Sequence, residues 1–305
     1  MMEFLVGTRF NFLGHRRAAF ILSAVLIIAG AISLIVQGGP RLGIDFEGGT
    51  LVQVRFEKPI DVQEIRDSLA DIGMADAEIQ RFGENREAII RAQQREEGED
   101  LTGVILEALN EANPDNRADV RRQEQVGPTV GRELRAKATN AILIALVLIL
   151  AYISIRFEFK FAVGAVAALV HDVAITLGLF SMTGREISLP VVAAFLTIVG
   201  YSLNDTIVIY DRIRENRRKL YGKSFTDIVN TSLNESLSRT VVTSLTTLVV
   251  VLCIFLFGGE VIKDFSFALL VGVVVGTYSS LYVASPLVVE WQVHGEARKR
   301  RRHRK

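Results

Sequence analysis

The chain has 305 residues, half of them hydrophobic, with a mean hydropathy of +0.31. Its 35 basic and 34 acidic side chains nearly cancel, so net charge selects no nucleic acid or other charged partner. A single cysteine, Cys253, excludes an intrachain disulfide framework and leaves the redox compartment open.

The charges fall in blocks between long apolar runs, the pattern of a polytopic membrane protein. A hydrocarbon core about 30 Å thick needs about 20 apolar helical residues. Six runs qualify: Ala18–Val36, Ala138–Ile155, Phe161–Met182, Leu189–Tyr210, Thr240–Phe257 and Phe265–Val289. Arg16 and Arg17 before the first run, and AGA at 29–31 within it, have the look of a signal peptide. The run is too long for an h-region and continues past AGA, so it is expected to stay as a span. Lys and Arg in short flanks set orientation. Residues 1–17, the turn at 156–160, the segment 211–239 and the tail 291–305 carry most of them, which predicts both termini in the cytoplasm. The tail RKRRRHRK could also bind anionic lipid or ribosomal RNA, though fixing the C-terminus inside is the plainer role.

Residues 37–137, between the first two spans, then form a domain outside the cytoplasm. TLVQVRFE (50–57) alternates, with Val52, Val54 and Phe56 on one face. VQEIRDSLADI (62–72) spaces Val62, Ile65, Leu69 and Ile72 as a helix. Residues 77–82 and 86–92 predict two strands joined by a turn at Gly83–Asn85; a second helix covers 101–110 and a last strand 117–126. The order βαββαβ predicts a ferredoxin-like α+β domain, a fold that proves no function.

The remaining 138–290 hold spans two to six. Within them, 211–239 is expected as a cytoplasmic loop. Its second half puts Phe225, Ile228, Val229, Leu233 and Leu237 on one face, so it is expected to lie at the membrane surface or to cover the bundle's inner end. GKS at 222–224 matches the end of a phosphate-binding loop, but Arg217 stands where its first glycine belongs, so no nucleotide site is predicted. The four histidines lack metal-ligand spacing. No cofactor is expected.

A carboxylate in the middle of a span costs about 2.5–3.5 kcal/mol on insertion scales, so two acids stand out. Asp172 lies near the middle of the third span. Asp205 lies in the fourth, beside Asn204, with Tyr201 and Ser202 one turn back. Arg239 opens the fifth. Each has a plainer alternative: Arg239 as a snorkelling anchor, Asp172 as a structural acid, Asp205 as a packing pin shared with Asn204. His171 adjoins Asp172 but is expected to point about 100° away on a helix. Burial favours a protonated carboxyl and a nearby Arg an ionised one. A group that alternates between the two settings can move a proton across the membrane, so a relay through Asp205, modulated by Arg239, is the sharper reading. GVVVG at 272–276, and Gly164 with Ala168, permit close helix approach.

At these motifs the chain resembles the SecD/SecF family of protein-export membrane proteins, in its SecF branch. GIDFEGGT (43–50) resembles the family motif, carried here by Gly43, Ile44, Asp45, Phe46, Gly48 and Gly49. VGPTVGREL (126–134), LVHDV (169–173), LPVVAAFLTIVGYSLNDTIVIYDRIREN (189–216) and LSRTVVTSLTT (237–247) match in order and position. The resemblance implies one half of a resistance–nodulation–division type transporter, with SecD as the other half. It implies association with the SecYEG channel, with YajC and YidC as further candidates. It implies use of the proton motive force, with protons as coupling ion, to draw preproteins across the cytoplasmic (inner) membrane. Asp205 and Arg239 then serve proton passage, Asp172 has a less certain role, and no enzymatic activity is expected. Two alternatives stand beside it: a half-transporter of the same superfamily exporting lipid or drug, and an intramembrane aspartyl protease using Asp172 and Asp205 as a dyad.

Overall fold

The computed structural model describes residues 7–75, 77–82, 85–92 and 100–302. The chain divides into two compact units, Leu42–Asn140 and a helical unit of Met1–Arg41 with Ala141–Lys305. The expected turn at Gly83–Asn85 falls partly, and the side chains of the tail RKRRRHRK wholly, outside the described residues.

The helical unit opens with α1 (Arg16–Val36). The second unit starts with a single turn, α2 (Ile44–Glu47), followed by β1 (Gly49–Phe56), α3 (Val62–Ala70), β2 (Glu78–Phe82), β3 (Glu87–Ala92), α4 (Leu101–Ala112) and β4 (Ala118–Val126). All three strand pairings are antiparallel, in the order β2-β3-β1-β4. This is the ferredoxin-like βαββαβ arrangement that the alternation predicts. Val52, Val54 and Phe56 of β1 are buried against Ile65 and Leu69 of α3, Ile90 of β3, and Ile105 and Leu109 of α4. Each such side chain contributes about 1.5–3 kcal/mol by leaving water. Asp61 and Asp100 cap the two helices, accepting from the Gln63 and Gly103 amides at 3.1 and 3.2 Å.

The helix α5 (Pro128–Arg156) carries the chain from one unit to the other. It is followed by α6 (Phe159–Met182), α7 (Leu189–Lys219), α8 (Phe225–Phe257), α9 (Lys263–Ser279) and α10 (Ser285–Arg302). A π-helical turn, Ser280–Ala284, joins the last two into one rod. Among the described residues, six helices are long and apolar enough to cross a membrane. In the most apolar stretches of the third, fourth and sixth, 56%, 44% and 50% of residues are buried, against 17%, 6% and 11% in the first, second and fifth. The interior is therefore made by α6, α7 and the α9–α10 rod.

Glycines set how closely these helices approach. A Cβ on Gly272 would lie 2.3 Å from Ile198, and one on Gly276 3.0 Å from Ser202, so the GVVVG stripe seats α9 on α7. Gly30, inside the AGA of α1, meets Gly178 of α6 backbone to backbone, where a Cβ would fall 2.6 Å from its partner.

The segment 211–239 departs from expectation. It is not a loop with a separate surface helix. Asp211–Lys219 is the end of α7, and Phe225–Arg239 is the start of α8, continuous with the fifth span. Charge made it look like a connection, but a helix can run past the hydrocarbon edge with charged residues around it. Only a short turn separates the two helices, and Ser224 caps α8 by accepting from the Asp227 amide at 3.1 Å. Its apolar face, expected at a membrane surface or over the bundle's inner end, is packed as in the second reading: Ile228, Val229, Leu233 and Leu237 are buried.

Candidate functional site

Among the described residues of the helical unit, two carboxyls are buried. Asp205 of α7 is 8% exposed and Asp172 of α6 is 1% exposed. Asp205 accepts two hydroxyl hydrogen bonds, from Thr240 of α8 to Oδ1 at 2.7 Å and from Ser280 to Oδ2 at 2.9 Å. Asp172 accepts at Oδ2 from Ser202 of α7 (2.6 Å) and Ser279 of α9 (2.8 Å), and its Oδ1 lies 2.9 Å from His171 Nδ1. No hydrogen bond joins the two carboxyls among the described residues; each is held by its own set of hydroxyls.

The residues expected around Asp205 distribute themselves differently. Ser202 serves Asp172. Tyr201 donates to Ser244 of α8 at 3.3 Å, and Ser244 lies 2.7 Å from Thr277 Oγ1. Asn204 is exposed and touches neither acid through a hydrogen bond among the described residues. Arg239 sits one residue before Thr240 with its side chain exposed, and makes no ion pair with Asp205 among the described residues. His171 departs from the expected outward direction: its ring turns back to its neighbour Asp172, and its Nε2 lies 2.9 Å from Ser23 Oγ of α1. Adjacent residues on a helix differ by about 100° in direction, but the imidazole is long enough to bend back across that angle. Tyr278 stacks on this ring at 6.0 Å between centroids and donates to the Ala19 carbonyl at 2.7 Å. Thr240, Ser279, Ser280 and Ser23 escaped the sequence reading. Their signal was present as single hydroxyls inside runs of lipid-crossing length, with TYSS at 277–280 the densest.

Two stripes remain outward. Thr197, Gly200 and Asn204 are exposed along one line of α7, and Arg239, Thr243 and Thr246 along one line of α8. Polar groups facing hydrocarbon are costly, and small residues allow another helix to come close.

In the other unit, the GIDFEGGT and VGPTVGREL motifs meet. Gly48 has φ +80° and Gly49 φ +139°, backbone that other residues adopt only under strain. A Cβ on Gly48 would sit 2.8 Å from Pro128 Cα, one on Gly49 2.7 Å from the Ala92 carbonyl, and one on Gly131 3.0 Å from the Gly48 nitrogen. Phe46 is buried in the same corner. The glycines let α2 and the first turn of α5 close on each other, which gives this motif a structural role.

Six lipid-length helices among the described residues, an inserted ferredoxin-like domain and two separately held buried acids describe a multi-pass membrane protein. The description "Protein export membrane protein SecD/SecF, C-terminal" matches residues 105–294, and "SecD/SecF GG Motif" matches residues 32–60. The chain is 51% identical over 290 residues to the protein translocase subunit SecF of Desulfurispirillum indicum, covering 92% of this chain and 91% of that one. It is 46% identical over 288 residues to SecF of Vibrio alginolyticus, covering 94% and 91%. The crystal structure of SecDF, a translocon-associated membrane protein from Thermus thermophilus, superposes with a TM-score of 0.85 at 42% identity. That match covers 95% of this chain and 39% of the longer SecDF chain. The chain belongs to the SecD/SecF family, in its SecF branch.

Proposed function

We propose that this protein is the SecF half of a SecD–SecF complex that uses the proton motive force to assist Sec-dependent preprotein export. Asp205 carries the proton, Arg239 modulates it, and Asp172 forms a second relay position. One observation carries this reading: Asp205 is buried, and among the described residues its hydrogen bonds come only from hydroxyls. A hydroxyl can donate to a carboxylate and can equally accept from a carboxylic acid. The site therefore satisfies both protonation states with the same neighbours, whereas a fixed ion pair would favour one. One charge crossing the membrane gains about 2.3 kcal/mol per 100 mV, enough to drive a conformational step.

The exposed stripes on α7 and α8 support SecD as the partner. The longer SecDF chain has room for a second half, and a helix from it would take Asn204, Arg239 and the threonines out of lipid. Further partners are the SecYEG channel, with YajC and YidC, and the preprotein itself. The location is the cytoplasmic membrane, with both termini inside and the α+β unit outside. Protons are the coupling ion, with no other cofactor and no enzymatic reaction.

The test is preprotein transport in vesicles carrying the reconstituted complex under an imposed proton gradient. Asp205→Asn should leave partner assembly intact and abolish the gradient-dependent part of transport. Full gradient-dependent transport by that variant sinks the relay.

A further inference from the structure

Ser279 and Ser280 are neighbours in the chain, both fully buried, and each binds a different acid. Ser279 donates to Asp172 of α6 at 2.8 Å and Ser280 to Asp205 of α7 at 2.9 Å. The angle of about 100° between successive helical residues lets one peptide address two helices. Each hydroxyl also has a second acceptor on its own helix, the Gly276 carbonyl at 3.1 Å for Ser279 and the Thr277 carbonyl at 3.0 Å for Ser280. A serine has one proton to give. Facing a carboxylate, it donates there. Once the acid takes up a proton and becomes a donor, the serine oxygen accepts from it and its own proton turns to the carbonyl three residues back.

The pair also stands where the helix changes register. The π-helical turn begins at Ser280, and the Ser285 hydroxyl donates to the Ser280 carbonyl at 2.9 Å. Such turns are rare and are concentrated at functional sites. Closing one to α-helical register rotates the residues on one side by about 100° relative to the other. The head of this turn is thus the place where a reversed hydrogen bond most readily becomes a movement of the rod.

We propose that Ser279 and Ser280 are positioning residues that couple the two buried carboxyls: Ser280 registers whether Asp205 holds a proton, and Ser279 passes the change to Asp172. This rests on the relay reading above and extends it with a link between its two acids. The titratable groups around the pair are His171 and Asp172 from α6, Asp205 and Tyr210 from α7, and Tyr278 on the rod itself; Arg239 of α8 faces outward.

Infrared difference spectroscopy of the full chain, reconstituted with its SecD partner, tests the link. The carboxyl signal of Asp172 is assigned as the band lost in Asp172→Asn. Asp205→Asn imitates an acid that is always neutral, and it should shift that band. In Asp205→Asn combined with Ser279→Ala and Ser280→Ala, the band should stay where the two serine changes alone put it. Ser280→Thr, which keeps the hydroxyl, should restore the shift, and partner co-purification checks that each variant assembles. An Asp172 band that ignores Asp205→Asn, or one that shifts equally without the serines, overturns the proposal. Transport by Asp205→Asn is measured on the same vesicles. Its loss together with an unmoved band removes the link and leaves the relay standing, whereas its persistence removes the relay itself.

Discussion

Both units bury an apolar core, but among the described residues only the helical unit also buries acids with it. In the α+β unit the interior is apolar, with Val52, Val54, Leu69, Ile90 and Ile105 withdrawn from solvent and the charges outside. In the helical unit the fully buried positions include Asp172, Ser202, Thr240, Ser279 and Ser280, while Leu148, Val249 and Leu256 face outward. Solvent explains the difference. Water drives apolar side chains together, but lipid is as apolar as leucine and gives helices no such reason to associate. Close approach at glycine and hydrogen bonds between hydroxyls and acids do that work. A large apolar residue on the outer face therefore has a different value in the two units, and substitutions can expose the difference.

The largest effect on stability is expected at the core of the α+β unit. Ile105 is fully buried between helix and sheet. Ile105→Ala removes that contact and leaves a cavity, at a cost of about 2–5 kcal/mol. Hydrogen-exchange protection of the β1 and β3 amides in the full chain should fall accordingly. Val249→Ala, an apolar truncation of the same kind on the outward face of α8, should stay within about 0.5 kcal/mol. Equal losses at the two sites would erase the contrast.

The bundle has its own sensitive points, and these are small residues. A side chain at Gly276 would press on Ser202 from 3.0 Å. Gly276→Val is expected to cost about 1–3 kcal/mol by overpacking, and to disturb Asp172 because Ser202 is one of its donors. Gly200, where a Cβ would meet nothing within 4 Å, should tolerate alanine in the isolated chain. Thermal unfolding of the two variants in detergent separates these outcomes, and a Gly276→Val protein as stable as the parent would show that the helices are free to move apart.

How much of this the sequence revealed follows the same division. In the α+β unit one face of each element is wet and the other dry. The alternation at 50–57 and the spacing of Ile65 and Leu69 therefore reported burial directly, and the strand order followed from βαββαβ. In the spans, length alone identified six helices, because an all-apolar helix does not say which side faces its neighbours. Asp172 and Asp205 stood out by cost, but their partners did not. Ser202 was placed with Asp205 on proximity along the chain, whereas it turns to Asp172 across the helix pair. The hydroxyl cluster at 277–280 was visible, but it named no partner, since a serine inside a span can satisfy itself on its own backbone, as Ser266 does through the Ile262 carbonyl at 2.8 Å. Charge misled at 211–239, where two helices extend beyond the apolar stretch.

The smallest expected effect belongs to the α+β unit's surface and sharpens the contrast by its pH dependence. Asp61 caps α3. The Gln63 amide that donates to it, helped by the Arg81 guanidinium at 3.1 Å, holds its carboxyl below the usual carboxylate range. A depressed folded value means that the cap's contribution is complete above the unfolded value of about 3.9 and is lost as pH falls through the folded one. Between neutrality and about pH 5 the protection of the Gln63 amide, corrected for intrinsic exchange, should therefore be flat, and it should decline only at lower pH. Asp61→Asn keeps an uncharged acceptor at the cap, so its protection should be lower at neutrality and free of that acid decline. A wild-type amide whose protection shows no decline at any acid pH where the unit stays folded would mean that α3 is held by its packing of Ile65 and Leu69 alone, with the cap contributing nothing to it.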